Sequence, residues 1–166
     1  MIAAASGDDR VSLRNRAILL LSIYGLRSGE VRRLQLANVD WQGDRLHVVR
    51  SKSLRRETFP LESSVGNAIA RYLRHGRPPS QSRTVFLTLR ASYRPLSGGA
   101  LRNLVRRYLS NVGLPARGCG PHGLRHACAR HLMEAGHSFK ETPVDLEYQV
   151  FQVTLGPHWH GAVPRA

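Results

Sequence analysis

The stretch PHGLRHACARHL, residues 121–132, places cationic side chains at the start of a predicted helix. Pro121 suits the first helical turn, where proline loses no backbone hydrogen bond. His122 and His126 would project from one face of that helix, with Arg125 at the edge of the face. Because the free N–H groups and the dipole of a helix N-terminus attract anions, these donors predict a phosphate site.

Other interpretations of this stretch remain open. His131 falls on the apolar face, where a core histidine is expected, and Arg125 would also suit a solvated surface position. The spacing Cys119-x-x-His122-x-x-x-His126 could supply three zinc ligands. A fourth ligand at a familiar spacing is missing, so we expect no metal ion.

The elements that would position such a site are mainly helical. Apolar residues recur at helical spacing, which predicts amphipathic helices over three segments, each with one buried face. These segments are residues 12–24, 65–73 and 101–112. Gly25 is a natural stop for the first helix, and Ser28 with Glu30 suits the start of a further short helix.

A small β element is predicted between the helices. The β-rich runs LHVVRS and RETFPL are separated by the polar KSLR, which predicts a hairpin. TVFLTL predicts a short strand or a short helical segment. The expected fold class is therefore mainly α with a small antiparallel β-sheet.

The composition favours a polyanionic partner. The chain has 166 residues, 42% of them apolar, and a formal net charge of +14, which indicates nucleic acid first and an anionic membrane second. Residues 1–140 hold 24 Lys and Arg against 8 Asp and Glu, a net charge of +16, whereas residues 141–166 have a net charge of −2. We therefore expect a core domain over residues 1–140 and an atypical tail over residues 141–166.

Targeting features point to a cytoplasmic protein. Two cysteines do not make a disulfide framework, and the longest apolar run, AILLLSIYGL, is too short to span a bilayer. The N-terminal MIAAASGDDR lacks the basic start and long apolar stretch of a signal peptide.

Three separated motifs, taken in order, resemble the catalytic domain of the tyrosine recombinases, the phage-integrase and Xer family. They are YGLRSGEVRRLQLANVDW, VVRSKSLRRETFPL and PHGLRHACARHLMEAGHSFKE. The resemblance covers about residues 10–140 and is specific because all three motifs agree. It implies a mostly α-helical domain with a small antiparallel sheet. It also implies DNA cleavage and rejoining through a 3′-phosphotyrosine, with no metal, cofactor or external energy source.

The resemblance implies roles for five residues. Arg27 matches the first catalytic arginine, Glu30 its acidic supporting residue, and Lys52 the catalytic lysine, while His122 and Arg125 match the His-x-x-Arg pair. Two guanidinium groups can hold the non-bridging oxygens on which negative charge builds. The lysine can protonate the leaving 5′-oxygen, and the histidine can accept the proton of the tyrosine or bind the phosphate.

Further arginines are assigned to contacts with the DNA backbone, although some of them are expected to be ordinary surface charges. They are Arg32, Arg33, Arg50, Arg55, Arg56, Arg102, Arg106 and Arg107.

Two features depart from the family pattern. The chain begins at the edge of the catalytic domain, which predicts a fragment or a truncated gene product. After HSFKE the family has a Leu-Gly-His box and then the nucleophilic tyrosine; counted without gaps, the histidine position falls on Tyr148 and the tyrosine position on Pro157. Tyr148 is the doubtful nucleophile candidate, since it also suits an apolar position on a short amphipathic segment. A partner subunit could supply the nucleophile instead.

We therefore expect the DNA-binding catalytic domain of a site-specific recombinase that lacks its own nucleophile. Its expected partners are double-stranded DNA and other recombinase subunits, with no membrane. One alternative is a non-catalytic DNA-binding remnant that regulates a full-length recombinase. Another is a basic RNA-binding module, which is disfavoured because aromatic residues make up only 7% of the chain and no glycine-aromatic RNA motif is found.

Overall fold

Helices dominate the part of the chain that the computed structural model describes, residues 7–50 and 54–111, without the side chains of residues 109 and 111. The helices are α1 (Arg10–Ile23), α2 (Ser28–Arg33), α3 (Ser63–Arg71) and α4 (Gly98–Asn111). The strands are β1 (Val39–Asp40), β2 (Arg45–Val49) and β3 (Arg56–Pro60). A 3₁₀ turn spans Leu36–Asn38 and a π-helical turn spans Tyr72–Gly76. This architecture confirms the predicted class, mainly α with a small antiparallel sheet.

Helix α1 is the central element of the described core. Asp9 caps its start by accepting hydrogen bonds from the backbone amides of Val11 and Ser12. The hydrogen bonds from the Ser12 hydroxyl and amide hold the pKa of the Asp9 carboxyl below its ordinary value. Residues 17–26 are all buried, so the second half of α1 is enclosed on every side. The prediction of a helix with a single buried face was wrong here, because α2, α3 and the π-helical turn pack around it.

The three strands form an antiparallel sheet in the order β1-β2-β3; the pair β2–β3 is the predicted hairpin, and β1 was not predicted. Leu46 pairs with Phe59, and Val48 pairs with Glu57. Leu46, Val48 and Phe59 are buried, whereas Val49 is exposed, which is the alternation of a sheet with one face on the core. The buried face of the sheet therefore continues from Leu46 through Val48 toward the end of β2.

The TVFLTL segment forms isolated β-bridges and does not belong to the sheet. Two isolated antiparallel bridges join Gln35 to Thr84 and Leu87 to Pro95. Phe86 is buried and stacks on Tyr72, with ring centroids 5.6 Å apart. This segment is neither of the two predicted alternatives, because its backbone pairs with connecting segments rather than with a strand.

None of the helices within residues 7–50 and 54–111 combines the length and the apolar character that crossing a lipid bilayer requires.

Candidate active site

A sharp turn between α1 and α2 places Arg27. Gly25 has φ 103°, a backbone conformation that residues with a Cβ rarely adopt. The Leu26 N–H donates to the Leu21 carbonyl at 3.0 Å, and the Gly25 N–H donates to the Ser22 carbonyl at 3.4 Å. These two bonds form a Schellman motif, which closes the C-terminal end of α1. Leu26, which follows the turn, is buried, and the side chain of the next residue, Arg27, is exposed.

The Glu30 carboxylate accepts two hydrogen bonds from Arg27. Its Oε2 atom accepts the backbone N–H of Arg27 at 2.8 Å, and its Oε1 atom accepts the Arg27 Nη1 at 3.1 Å. The Glu30 side chain is 0% exposed, whereas the Arg27 side chain is 47% exposed. A buried carboxylate thus anchors a guanidinium that remains accessible from solvent. This arrangement suits a preorganised cation for binding an anion, since the arginine is oriented before the anion arrives.

Arg50 is a second basic partner of Glu30. Its Nη1 atom lies 3.3 Å from Glu30 Oε2, and its Nε atom lies 2.6 Å from Glu57 Oε2. The guanidinium carbon also lies 4.9 Å from the centre of the Phe59 ring. Positive and negative groups therefore alternate from Arg27 through Glu30 and Arg50 to Glu57, and the array joins α2 to the β2–β3 hairpin.

The position of Arg50 argues against the prediction that it contacts the DNA backbone. Its side chain is 7% exposed and is paired with two carboxylates, which is the environment of an internal ion pair. A signal in the sequence could have indicated this. Side chains of a strand alternate between its faces, so Arg50 continues the inward-facing series of Leu46 and Val48, and Glu57 shares its face with Phe59.

The other arginines assigned to DNA contact lie at the surface. Arg32 is partly buried at the end of α2, and the others in this group are exposed. They are Arg33, Arg55, Arg56, Arg102, Arg106 and Arg107. Their assignment to phosphate contact stays a prediction.

Four residues of the predicted site lie outside the described residues. They are Lys52, His122, Arg125 and Tyr148. The alternative zinc ligands Cys119 and His126 and the boundary between residues 140 and 141 also lie outside them. The described part of the site therefore consists of the first motif, with Arg27 and Glu30, and of strands β2 and β3.

The sequence matches the model of the phage integrase family over residues 1–143. The chain belongs to the phage integrase family. A Sinorhizobium fredii protein provisionally named integrase/recombinase y4gC is 42% identical over 137 residues, which are 81% of this chain and 70% of that protein. The tyrosine recombinase XerC of Natranaerobius thermophilus is 34% identical over 143 residues, which are 82% of this chain and 47% of XerC. This phage integrase family chain thus spans less than half the length of that XerC relative.

Solved structures show the same fold. A crystal structure of XerA recombinase aligns with a TM-score of 0.67 at 21% identity, covering 90% of this phage integrase family chain and 54% of XerA. The structure of XerH site-specific recombinase bound to its difH substrate aligns with a TM-score of 0.63 at 18% identity, covering 86% of this chain and 43% of XerH.

Proposed function

We propose that the chain is the catalytic domain of a site-specific tyrosine recombinase and that Arg27 binds a phosphate of duplex DNA. The observation that carries this proposal is the pair formed by exposed Arg27 and buried Glu30 within a phage integrase family domain. The name of the XerC relative and the DNA substrate in the XerH structure support the choice of reaction and ligand.

The chemistry proposed for Arg27 follows from its anchoring. During attack on a phosphodiester, negative charge increases on the non-bridging oxygens, and a guanidinium offers planar paired donors to them. Because the backbone and the side chain of Arg27 are both bonded to Glu30, little reorganisation is needed when that charge develops. Lys52, His122 and Arg125 would complete the site, as the resemblance implies.

The second candidate function is a DNA-binding domain that does not cleave. What favours it is the sequence after the His-x-x-Arg motif: counted without gaps, the position of the family's nucleophilic tyrosine falls on Pro157. Proline has no side-chain group that can attack phosphorus. In that case the same basic surface and the same Arg27 site would bind DNA, and a partner subunit would supply the nucleophile or none would act.

Binding of a 30-base-pair duplex of mixed sequence tests the role of Arg27. Each phosphate contact contributes about 0.9 to the slope of log affinity against log salt concentration. We expect Arg27→Ala to lower the magnitude of that slope by about 0.9, the value of one phosphate contact. The affinity of the unchanged chain should also fall steeply as salt rises. Fluorescence anisotropy at several salt concentrations measures both.

Arg74→Ala is the matched control because it removes the same charge at the other end of α1. Arg74 is exposed in the π-helical turn, whose Gly76 lies against Arg10 and Leu13 at the start of α1. A helix of this length extends about 20 Å. Equal effects of the two substitutions would reduce Arg27 to a general surface charge and would contradict the proposed site.

A further inference from the structure

Arg50 lies where three elements of the described fold meet. It follows β2 directly, its Nε atom contacts Glu57 on β3, and its Nη1 atom contacts Glu30 on α2. Its backbone N–H donates to the Arg55 carbonyl at 2.9 Å, and its carbonyl accepts the Leu54 N–H at 3.0 Å. The same residue therefore closes the hairpin through its backbone and links the hairpin to α2 through its side chain.

We infer that Arg50 is a positioning residue for Arg27: by sharing the Glu30 carboxylate, it keeps the Arg27 guanidinium available to a phosphate. This inference rests on the proposed function, because it specifies how the Arg27 site is kept ready. It assigns to Arg50 no contact with DNA.

The charge balance of the array is the first argument. Glu30 carries one negative charge and receives donors from two arginines, at 3.1 Å from Arg27 and at 3.3 Å from Arg50. Interactions between charges are stronger where water is excluded, and the Glu30 side chain is 0% exposed. Without Arg50, the whole charge of Glu30 would be directed at Arg27. A phosphate would then have to compete with a tighter internal pair.

The shape of the array is the second argument. Arg50 bonds to the two carboxylates through different nitrogens, Nε and Nη1, which a planar guanidinium can do and a lysine ammonium cannot reproduce. The Phe59 ring, which is itself buried, lies 4.9 Å from the guanidinium carbon. This packing orients the Arg50 guanidinium toward Glu30, and the contact in turn holds the Glu30 carboxylate in position to bind Arg27.

A double-mutant cycle in DNA binding separates positioning from the alternatives. The four proteins are the unchanged chain, Arg27→Ala, Arg50→Met and the double variant, each measured by anisotropy with the same 30-base-pair duplex. We expect Arg27→Ala to lower the salt slope by about 0.9. We expect Arg50→Met to lower the slope by nearly the same amount although Arg50 is buried, and the double variant to lower it no further.

Each other result overturns the inference. If Arg50→Met destabilises the chain but leaves the salt slope unchanged, Arg50 is structural only. If the two substitutions lower the slope additively, Arg50 binds a phosphate itself. If Arg27→Ala leaves the slope unchanged in the otherwise unaltered chain, the proposed Arg27 site fails first, and the role of Arg50 fails with it.

Thermal unfolding establishes that each variant is folded at the temperature of the binding assay. Should Arg50→Met not fold, Arg50→Lys takes its place in the same cycle. The ammonium keeps the positive charge but lacks the separate, planar Nε and Nη1 donors of arginine, so we expect the same non-additivity at a smaller size. An Arg50→Lys protein whose Arg27 contribution equals that of the unchanged chain would show that charge alone suffices, and would contradict positioning by shared geometry.

Discussion

Glu30 is a buried charged residue at the centre of the described site. Its carboxylate is fully buried and accepts hydrogen bonds from the Arg27 backbone and from the side chains of Arg27 and Arg50. A buried charge is stable only when it is paired and hydrogen-bonded. Glu30 therefore affects both the stability of the fold and the geometry of the site, since the arginines that compensate its buried charge are the arginines that it orients.

Glu30→Gln tests this dependence on charge. Glutamine keeps the shape of the side chain and one acceptor, but Arg50 is then left buried with a neutral neighbour on the α2 side. We expect a loss of about 3 kcal/mol in the free energy of unfolding. Urea denaturation measures it as a shift of the midpoint at constant slope.

Glu62→Gln is the control for that measurement, because it makes the same chemical change at a partly exposed residue just before α3. Surface substitutions of this kind usually change stability by about 0.5 kcal/mol or less. Similar losses for Glu30→Gln and Glu62→Gln would mean that the internal ion pairs contribute little to folding.

At the scale of elements, the turn between α1 and α2 sets the position of Arg27 relative to the core. Gly25→Ala places a Cβ on a backbone with φ 103°, which costs about 1–2 kcal/mol. We also expect the salt slope of DNA binding to fall, because the Schellman motif that directs Arg27 outward is disturbed. Denaturation and anisotropy on the same variant measure the two effects.

Gly98→Ala is the matched control for the junction. Gly98 begins α4, and a Cβ built there meets nothing within 4 Å, so stability should be unchanged or slightly raised. A Gly25→Ala protein that matches Gly98→Ala in stability and in salt slope would show that the junction tolerates a relaxed turn and does not set the position of Arg27.

The same elements show which parts of the fold were predictable. Helical periodicity and a stop glycine are local patterns, and they gave the bounds of α1 to within two residues. The hairpin was equally local. Strand alternation could have indicated the inward direction of Arg50, but its partner Glu30 could not be predicted, because Glu30 is 20 residues away on another element. The TVFLTL segment was ambiguous because its partners, Gln35 and Pro95, lie in connecting segments.

At the scale of the whole molecule, charge and fold point in the same direction. A net charge of +14 on 166 residues favours a polyanion, and the phage integrase fold provides exposed arginines on α2, on the hairpin and on α4. Charge alone leaves RNA, DNA and membrane open. An anchored Arg27 does not discriminate among them, because all three carry phosphates, and it is family membership that favours DNA.

Whether the chain can cut DNA by itself depends on a nucleophile placed in line with the leaving 5′-oxygen, where an error of about one ångström greatly slows the reaction. Arginine and lysine can stabilise charge, but they do not form the covalent 3′ link proposed for this family. Counted without gaps from the His-x-x-Arg motif, the tyrosine position falls on Pro157 and the histidine position on Tyr148. We therefore expect the chain to bind DNA without becoming covalently attached to it.

A library of nicked suicide duplexes of randomised sequence, followed by denaturing electrophoresis, measures this attachment, with a full-length XerC and its own site as the positive control. The nick lets the cleaved end diffuse away, so that even a slow covalent product accumulates. An adduct that disappears in Tyr148→Phe would contradict the expectation and make Tyr148 the nucleophile. An adduct that survives Tyr148→Phe would contradict it as well and would place the nucleophile on another residue. The absence of any adduct, together with DNA binding that depends on Arg27, is the result that separates phosphate recognition from cleavage in this chain, because recognition requires only oriented cations whereas cleavage also requires a tyrosine oxygen at the phosphorus.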